Sequence, residues 1–454
     1  MKKLVVIVLL MISILGYTQC WNNIYMGGRH DYGLKTDGTI WVTGDNTYGQ
    51  LGDGTNVSKF EFTSFSNNTI WSTLSLGEFF TLALKTDGTL WSWGYNQSGQ
   101  LGDGTIVYRN TPTQIGISNN WIKISAGRDH SLAIKLDGTL WAWGTNLYGQ
   151  LGDGTNSNKN FPVQIGTSTD WSYINCGYNH SIAIKNNGTL WAWGDNAGGK
   201  LGDNTTINKN YPIQIGTNTN WDIVYGGLSN TVAIKTNGTI WAWGSGGSGV
   251  NGDGTNVSRY YPVQIGTATD WAKVAYKGSH VLATKNDGSL WAWGNNNAYR
   301  LGDGTTITRY TPTQISNALD WYLVFASNSN GGCSIGIKSD NSMQVWGWAQ
   351  WGALGNGGGS LVQIPTALGT CTLANETFQQ NKTILYPNPT KQLLNIENSN
   401  IPITKMVVID MLGKKILAQN GTASQINVSQ LQNGLYILQV YSEENVYSYK
   451  FVKE

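Results

Sequence analysis

GRDHSLAIKLDGTLWAWGTNLYGQLGDGT (residues 127–155) and GYNHSIAIKNNGTLWAWGDNAGGKLGDNT (residues 177–205) are two copies of one unit, offset by 50 positions. The period runs outward in both directions. Trp41, Trp91, Trp141, Trp191, Trp241 and Trp291 share one phase, and Trp21, Trp71, Trp121, Trp171, Trp221, Trp271 and Trp321 share another. Seven units tile residues 21 to about 370, the seventh carrying its motif in altered form as Val345-Trp346-Gly347. Self-similarity at a fixed period of this length marks a repeat architecture.

The unit at 171–220 shows the local logic. WSYINCG reads as a first strand, HSIAIK as a second, TLWAWG as a third and YPIQIG as a fourth, with a glycine-rich loop (DNAGGKLGDN) before the last. The Asn187-Gly188 pair, recurring as Asp137-Gly138 and Asp287-Gly288, predicts a two-residue hairpin with positive φ at both central positions. In TLWAWG the two tryptophans share one face and Leu, Ala and Gly the other, because side chains alternate along a strand. Stacked sheets need this if each is to receive its neighbour's indoles. One buried Trp removes ~150–250 Å² from water, roughly 4–6 kcal/mol as a gross upper bound. Seven four-stranded units that bury both faces close radially, which predicts an all-β fold led by a seven-bladed β-propeller over residues 20–371. An open solenoid would need atypical polar end caps, and none is obvious.

Composition narrows the class. Glycine contributes 58 of 454 residues and charged residues 12%, about half the ~25% of an average soluble protein. Lys and Arg (29) nearly balance Asp and Glu (27), so nothing supports a nucleic-acid partner. Four cysteines exclude a disulfide-dense miniature scaffold. At the start, Lys2 and Lys3 precede an apolar run from Leu4 to Leu15, too short to span a bilayer; residues 1–19 read as a cleaved secretory signal peptide. A lipid-modified Cys20 is the lesser alternative, since Tyr17, Thr18 and Gln19 fit that processing poorly. No later segment is long and apolar enough to span a membrane as a helix. All 21 tryptophans lie between Trp21 and Trp351. Beyond a polar linker at 372–382, residues 383–454 carry short β-type runs separated by turn formers, which predicts a small Ig-like β-sandwich.

The segments G-x-x-H-S-x-A and G-x-x-x-G-Q-L-G, in seven copies over about 350 residues, resemble the regulator of chromosome condensation repeat family. That resemblance implies a seven-bladed propeller working through protein contact at one face, as in relatives that exchange nucleotide on small GTPases or inhibit β-lactamase. No contact residue of those relatives maps onto a position here. The C-terminal segment is similar to the type IX secretion sorting domain of Bacteroidetes: Tyr386-Pro387-Asn388-Pro389 opens it, Gly413 and Gly434-Leu435-Tyr436 follow, and a strand from Lys450 to Lys453 ends it. This implies handling by the type IX machinery, export to the cell surface or medium, and removal of the tail.

The chemistry-bearing residues mostly follow the repeat. His30, His130, His180 and His280 share one phase, with Phe80 and Asn230 in the same place elsewhere, which reads as structural. Gly244 to Gly249 spell G-x-G-x-x-G, but no helix pattern follows to hold a phosphate. No cofactor and no metal site is expected. Two charge sets recur: Asp53, Asp103, Asp153, Asp203, Asp253 and Asp303, and six residues after each, Lys59, Arg109, Lys159, Lys209, Arg259 and Arg309. They read either as pairs within each blade or as a basic ring gripping an anionic glycan or acidic protein; calcium on one carboxylate per loop is a weaker third reading. Tyr48, Tyr95, Tyr148, Trp348 and Trp351 form a candidate aromatic rim for protein or glycan contact, or else pack between blades. Ring closure would bring Cys20 and Cys371 close enough for a disulfide, with Cys176 and Cys333 as buried thiols. The expectation is a monomeric, exported binding protein. The alternative is a polysaccharide lyase or hydrolase using carboxylates on the propeller face, Glu61 and Glu78 being the first to examine.

Overall fold

The computed structural model describes residues 21–36, 38–65, 71–327, 332–348, 352, 354–357, 361–368, 384–397, 403–410, 415–421, 424–441 and 446–454. The expected leader 1–19, the Cys20–Cys371 bridge, the linker 372–382, Trp351 and Gly413 lie outside them. The chain divides into two compact units, Met1–Cys371 and Thr372–Glu454.

The first unit is a seven-bladed propeller. Every blade is a four-stranded antiparallel sheet made from consecutive strands, as in blade 4: Trp171–Cys176, His180–Lys185, Leu190–Gly194 and Lys209–Gln214. The fourth strand begins at the basic residue, earlier than the YPIQIG pattern suggests, because a bulge between Lys209 and Ile213 brings Lys209 opposite Gly194. Blade 1 opens with Trp21–Met26 and blade 7 closes with Leu361–Ala367.

The blades stack as the alternation in TLWAWG requires. Trp193 of blade 4 is fully buried among Leu132, Ile134, Leu140, Leu151 and Ile165 of blade 3. Its indole N–H donates to the Gln150 carbonyl at 2.9 Å, so burial leaves no polar atom stranded there. Gly152 makes this approach possible: its φ is +80° and a Cβ would lie 2.8 Å from the indole nitrogen. The other tryptophan of each motif is only half-buried. Trp141 meets Trp121 edge-on at 5.8 Å and lies 4.1 Å beneath the Lys135 ammonium.

The Asp-Gly turns differ from the two-residue hairpin that the dipeptide predicts. Only Gly138 takes positive φ, the Gly138 N–H donates to the Lys135 carbonyl at 2.8 Å, and Lys135 N–H donates to Thr139 at 3.1 Å. The loop is therefore three residues long, a type I turn followed by a left-handed glycine. The reason is the Asp137 carboxylate, which accepts from the Thr139 N–H at 3.0 Å and its hydroxyl at 2.7 Å, holding Asp137 outside the left-handed region.

The ring closes by repeating the same contact. Trp121 N–H reaches the turn glycine carbonyl of the preceding blade, Gly88, at 3.2 Å, and Trp21 N–H reaches Asn341 of blade 7 at 3.0 Å. Asn341 occupies the turn-glycine place with φ 64°, asparagine being the residue that best tolerates it after glycine. Phe62 and Trp21 of blade 1 share a core with Ile335, Ile337 and Leu354 of blade 7.

The second unit has a three-stranded sheet (Ile384–Tyr386, Leu393–Glu397, Gln425–Asn427) and a four-stranded sheet (Lys405–Ile409, Lys415–Asn420, Gly434–Tyr441, Val446–Lys453). Leu394, Ile396 and Ile426 from the first share one core with Met406, Val408, Leu438 and Phe451 from the second, which makes a small β-sandwich. Asn388, between Pro387 and Pro389, accepts the Val452 N–H at 2.9 Å; Tyr436 stacks on Phe451 at 5.8 Å, and the backbone of Lys450 pairs with Ile437.

Candidate functional site

After each first strand the chain turns through a short corner, G-x-x-H in blades 1, 3 and 4, and these corners surround the mouth of the central channel. A histidine ends the corner in blades 1, 3, 4 and 6 and points into the next blade, with Phe80, Asn230 and Cys333 in its place in the others. His130 Nε2 lies 3.0 Å from Ser181 Oγ, which donates to the Gln150 carbonyl at 2.7 Å. His30–Thr81 and His280–Ser334 repeat the contact at 2.8 Å. Burial pushes His30 and His130 down to about 3, so the rings are neutral. They are buried joints between blades.

The sign of the pH effect follows. An unfolded histidine binds a proton near 6.5, whereas folded His130 does so near 3. The unfolded chain thus binds the extra proton, and His130's contribution is intact above about 6.5 and lost progressively as pH falls toward 3. By pH 5 this amounts to up to about 2 kcal/mol. His130→Asn, which copies Asn230 of blade 5, is expected to lessen the fall of urea stability between pH 7 and pH 5; equal slopes for both proteins would contradict the assignment.

The corners are joined edge to edge. Gly28 N–H donates to Gly77, Glu78 N–H to Arg128, Arg128 N–H to Tyr178 and Tyr178 N–H to Gly227, at 2.9 to 3.2 Å. On this braced rim the side chains differ from blade to blade. Arg29 lies over the Phe79 ring at 4.8 Å with its Nε 4.0 Å from Glu78. Arg128 lies over the Tyr178 ring at 4.8 Å and pairs with Asp129 at 3.2 Å, while Gln100 donates to Asp129 at 3.1 Å. Burial raises Glu78 despite the opposing charges of Lys277, Arg29 and Arg128, and burial likewise raises Asp129 against Arg128 and the Gln100 donor.

Farther out, an aromatic cluster bridges blades 1 and 2. Tyr48 meets Tyr95 at 4.9 Å, Phe79 at 5.3 Å and Tyr108 at 5.3 Å, and Tyr95 stacks on Tyr108 at 5.1 Å. The same corner positions in blades 5 and 6 hold Leu228-Ser229 and Gly278-Ser279. Aromatic and charged chemistry is therefore concentrated over blades 1 to 4.

A family model described as the RCC1-like domain matches residues 116–385, more than half of the chain. The chain belongs to the RCC1-like domain family. The regulator of chromosome condensation (RCC1) repeat matches residues 37–84 and 87–134, and the secretion system C-terminal sorting domain matches residues 384–454. The protein is therefore exported through type IX secretion to the cell surface or the extracellular space. Prp20p from Saccharomyces cerevisiae, described with its binding to Gsp1p and histones, superposes with a TM-score of 0.66 at 19% identity, covering 79% of this chain and 89% of that one. Human WBSCR16 superposes at 0.58 with 20% identity, covering 68% and 84%. Yeast RCC1 (Prp20) bound to Kap60 gives 0.65 at 18% identity, covering 79% and 87%. Comparison with curated proteins returns no match.

In this RCC1-like propeller the two charge sets meet within blades 1 to 6. Lys59, Arg109, Lys159, Lys209, Arg259 and Arg309 are ion-paired to Asp53, Asp103, Asp153, Asp203, Asp253 and Asp303 at 2.6 to 3.5 Å. Each aspartate also organises its loop: Asp103 accepts from Asn96, from the Thr105 N–H and hydroxyl, and from Arg109 Nε at 2.8 Å. Burial alone would raise Asp103, but the Thr105 and Arg109 donors outweigh it and hold the carboxyl below its ordinary value. The six cations thus form neutralised pairs with no surplus positive ring, because the bulge brings each to its own aspartate.

The other expected residues are scattered. Tyr48 and Tyr95 meet, Tyr148 stands exposed beside exposed Leu147, and Trp348 ends the third strand of blade 7, half-buried. Glu61 bridges to Asn356 at the seam between blades 1 and 7, away from the channel mouth that holds Glu78. Cys176 and Cys333 are buried thiols outside any disulfide. Arg29, Phe79, Arg128, Asp129 and Lys277 escaped the sequence reading. Their signal was a column of the repeat in which neighbouring copies disagree.

Proposed function

We propose that the exported propeller is a binding module whose protein or glycan ligand docks on the channel-mouth face over blades 1 to 4. The carrying observation is the departure from repeat symmetry there: Arg29, Tyr48, Phe79, Tyr95, Arg128 and Tyr178 cluster on a rim braced by backbone hydrogen bonds. Rigid aromatic and arginine anchors of this type contribute most of the binding energy in recognition surfaces. Tyr95→Ala with Arg128→Ala is expected to weaken retention on sister-cell or host surfaces about thirtyfold, the loss of roughly 2 kcal/mol. Leu228→Ala in blade 5 serves as the control. Unchanged retention in the double variant would move the site elsewhere.

One observation favours a second reading, a glycan-acting enzyme. Glu78 and Asp129 lie on adjacent blades, both are raised by burial, and each carries an arginine neighbour. Carboxyl groups held toward the protonated form suit general acid chemistry. Product release from polysaccharides by the wild type, lost in Glu78→Gln, would select this reading over binding without turnover.

A further inference from the structure

Five of the seven copies open the corner with glycine, at 27, 77, 127, 177 and 227; the seventh has Ser327 and the sixth has Lys277. The Lys277 side chain leaves blade 6 and reaches across the bore. Its Nζ donates to the carbonyls of Met26 and Leu76, at 2.8 and 2.6 Å, on blades 1 and 2. A half-buried side chain thus bars the channel at its mouth.

Behind this bar the first strands of the blades enclose a cavity of about 500 Å³. Tyr25, Tyr225 and Phe325 supply aromatic wall, and Ser75, Ser125 and Asn175 supply polar wall. The polar groups are largely committed, since Ser75 accepts from the Ala126 N–H, Ser125 from Cys176 and Asn175 from Gly226, each at 2.9 Å. Among the described residues, two lysines, Lys273 and Lys277, and no carboxylate line the cavity. Lys273 lies 4.1 Å over the Tyr322 ring.

An ammonium has three N–H donors, and those of Lys277 that are engaged meet neutral carbonyls. Its acidic neighbours lie outside the lining: Glu78 and Asp31 are raised by burial, Asp31 to about 8. Burial in turn pushes Lys277 down to about 8, with Glu78 and Asp31 opposing. The direct hydrogen-bond partners of this half-buried cation are therefore neutral, and a charge drawn out of water gains from a paired counter-charge.

We propose that the central cavity is a binding site for a small organic anion, a carboxylate or sulfonate on an apolar body, whose charged group pairs with Lys277. The anion accepts the remaining N–H of Lys277, and the apolar body lies against Tyr25, Tyr225 and Phe325. The volume falls in the range that holds one small molecule, ~300–1,000 Å³. The surface ligand proposed above uses the outer side of the bar, so the two sites are separable.

The test is a titration of the full chain with 8-anilinonaphthalene-1-sulfonate, an aromatic anion that fluoresces in apolar surroundings. One probe molecule per chain is expected, displaced by benzoate and not by benzyl alcohol. Lys277→Met keeps the side-chain length and removes the charge; it should weaken the probe about tenfold to a hundredfold, the worth of a charge-assisted hydrogen bond. Lys277→Gly restores the residue of five other copies and provides a second folded variant with the same expected loss. Equal binding by either folded variant, equal displacement by benzyl alcohol, or no binding by the wild type would each overturn the proposal.

Discussion

Trp193→Ala is expected to cost about 3–5 kcal/mol of propeller stability, the range for deleting a fully buried large aromatic. The indole fills the space between blades 3 and 4 and is fully buried. Removing it forfeits the transfer energy of the ring and leaves a cavity that strands on both sides resist collapsing. The Gln150 carbonyl is not orphaned, because Ser181 Oγ still donates to it at 2.7 Å, so the loss is mainly packing. Trp191→Ala, two residues away on the same strand, should cost about 1–2 kcal/mol, since Trp191 is half-exposed and part of its area is already wet. Urea unfolding followed by tryptophan fluorescence separates the two. Equal costs would mean that the blades do not stack through the second indole. Typical domain stabilities are about 5–15 kcal/mol, so the Trp193 change removes a large part of the margin.

Phe451→Asp is expected to abolish most export while leaving the propeller's own unfolding unchanged. Phe451 is fully buried in the sorting domain, stacked on Tyr436, in a last strand that pairs with Gly434–Tyr441 along its whole length. That strand is also held by Thr390 N–H donating to Val452 at 2.9 Å and by Glu454 N–H donating to Thr390 at 2.9 Å. A carboxylate in this core costs about 4 kcal/mol or more, comparable with the whole stability of a domain so small. Immunoblots of cell fractions should find the variant retained inside the envelope and the wild type at the surface or in the medium. Undiminished export would show that the machinery reads the tail without its folded sheets.

The fold was legible because one physical requirement recurs seven times. Alternating Trp-Ala-Trp strands must bury an indole in the next sheet, and a fifty-residue period leaves the chain one economical arrangement, a closed ring. The Asp-Gly turns were less legible: the dipeptide suits both a two-residue and a three-residue hairpin, and the hydroxyl of Thr139 two positions on decides between them. The outer charges were visible as a spacing of six, but only the bulge in each fourth strand shows that Arg109 turns onto Asp103. The channel mouth was least legible. Averaging the copies into a consensus hides Lys277 among glycines and Arg128 among unlike neighbours, whereas reading the corner column copy by copy exposes both.

Each blade is complete within its own repeat, and blade 7 meets blade 1 through packed side chains and a few backbone contacts, Trp21 to Asn341, Gly357 to Phe60 and the bridge of Glu61 with Asn356. No strand from one end of the chain has to be lent to the other. The order in which the seven sheets are translated is therefore decoupled from the finished disc. A circular permutant cut between blades 4 and 5 and rejoined across the old termini should assemble the same wheel. A lineage carrying such a gene can shuffle or replace single blades, and with them single patches of the rim, without redesigning the hub.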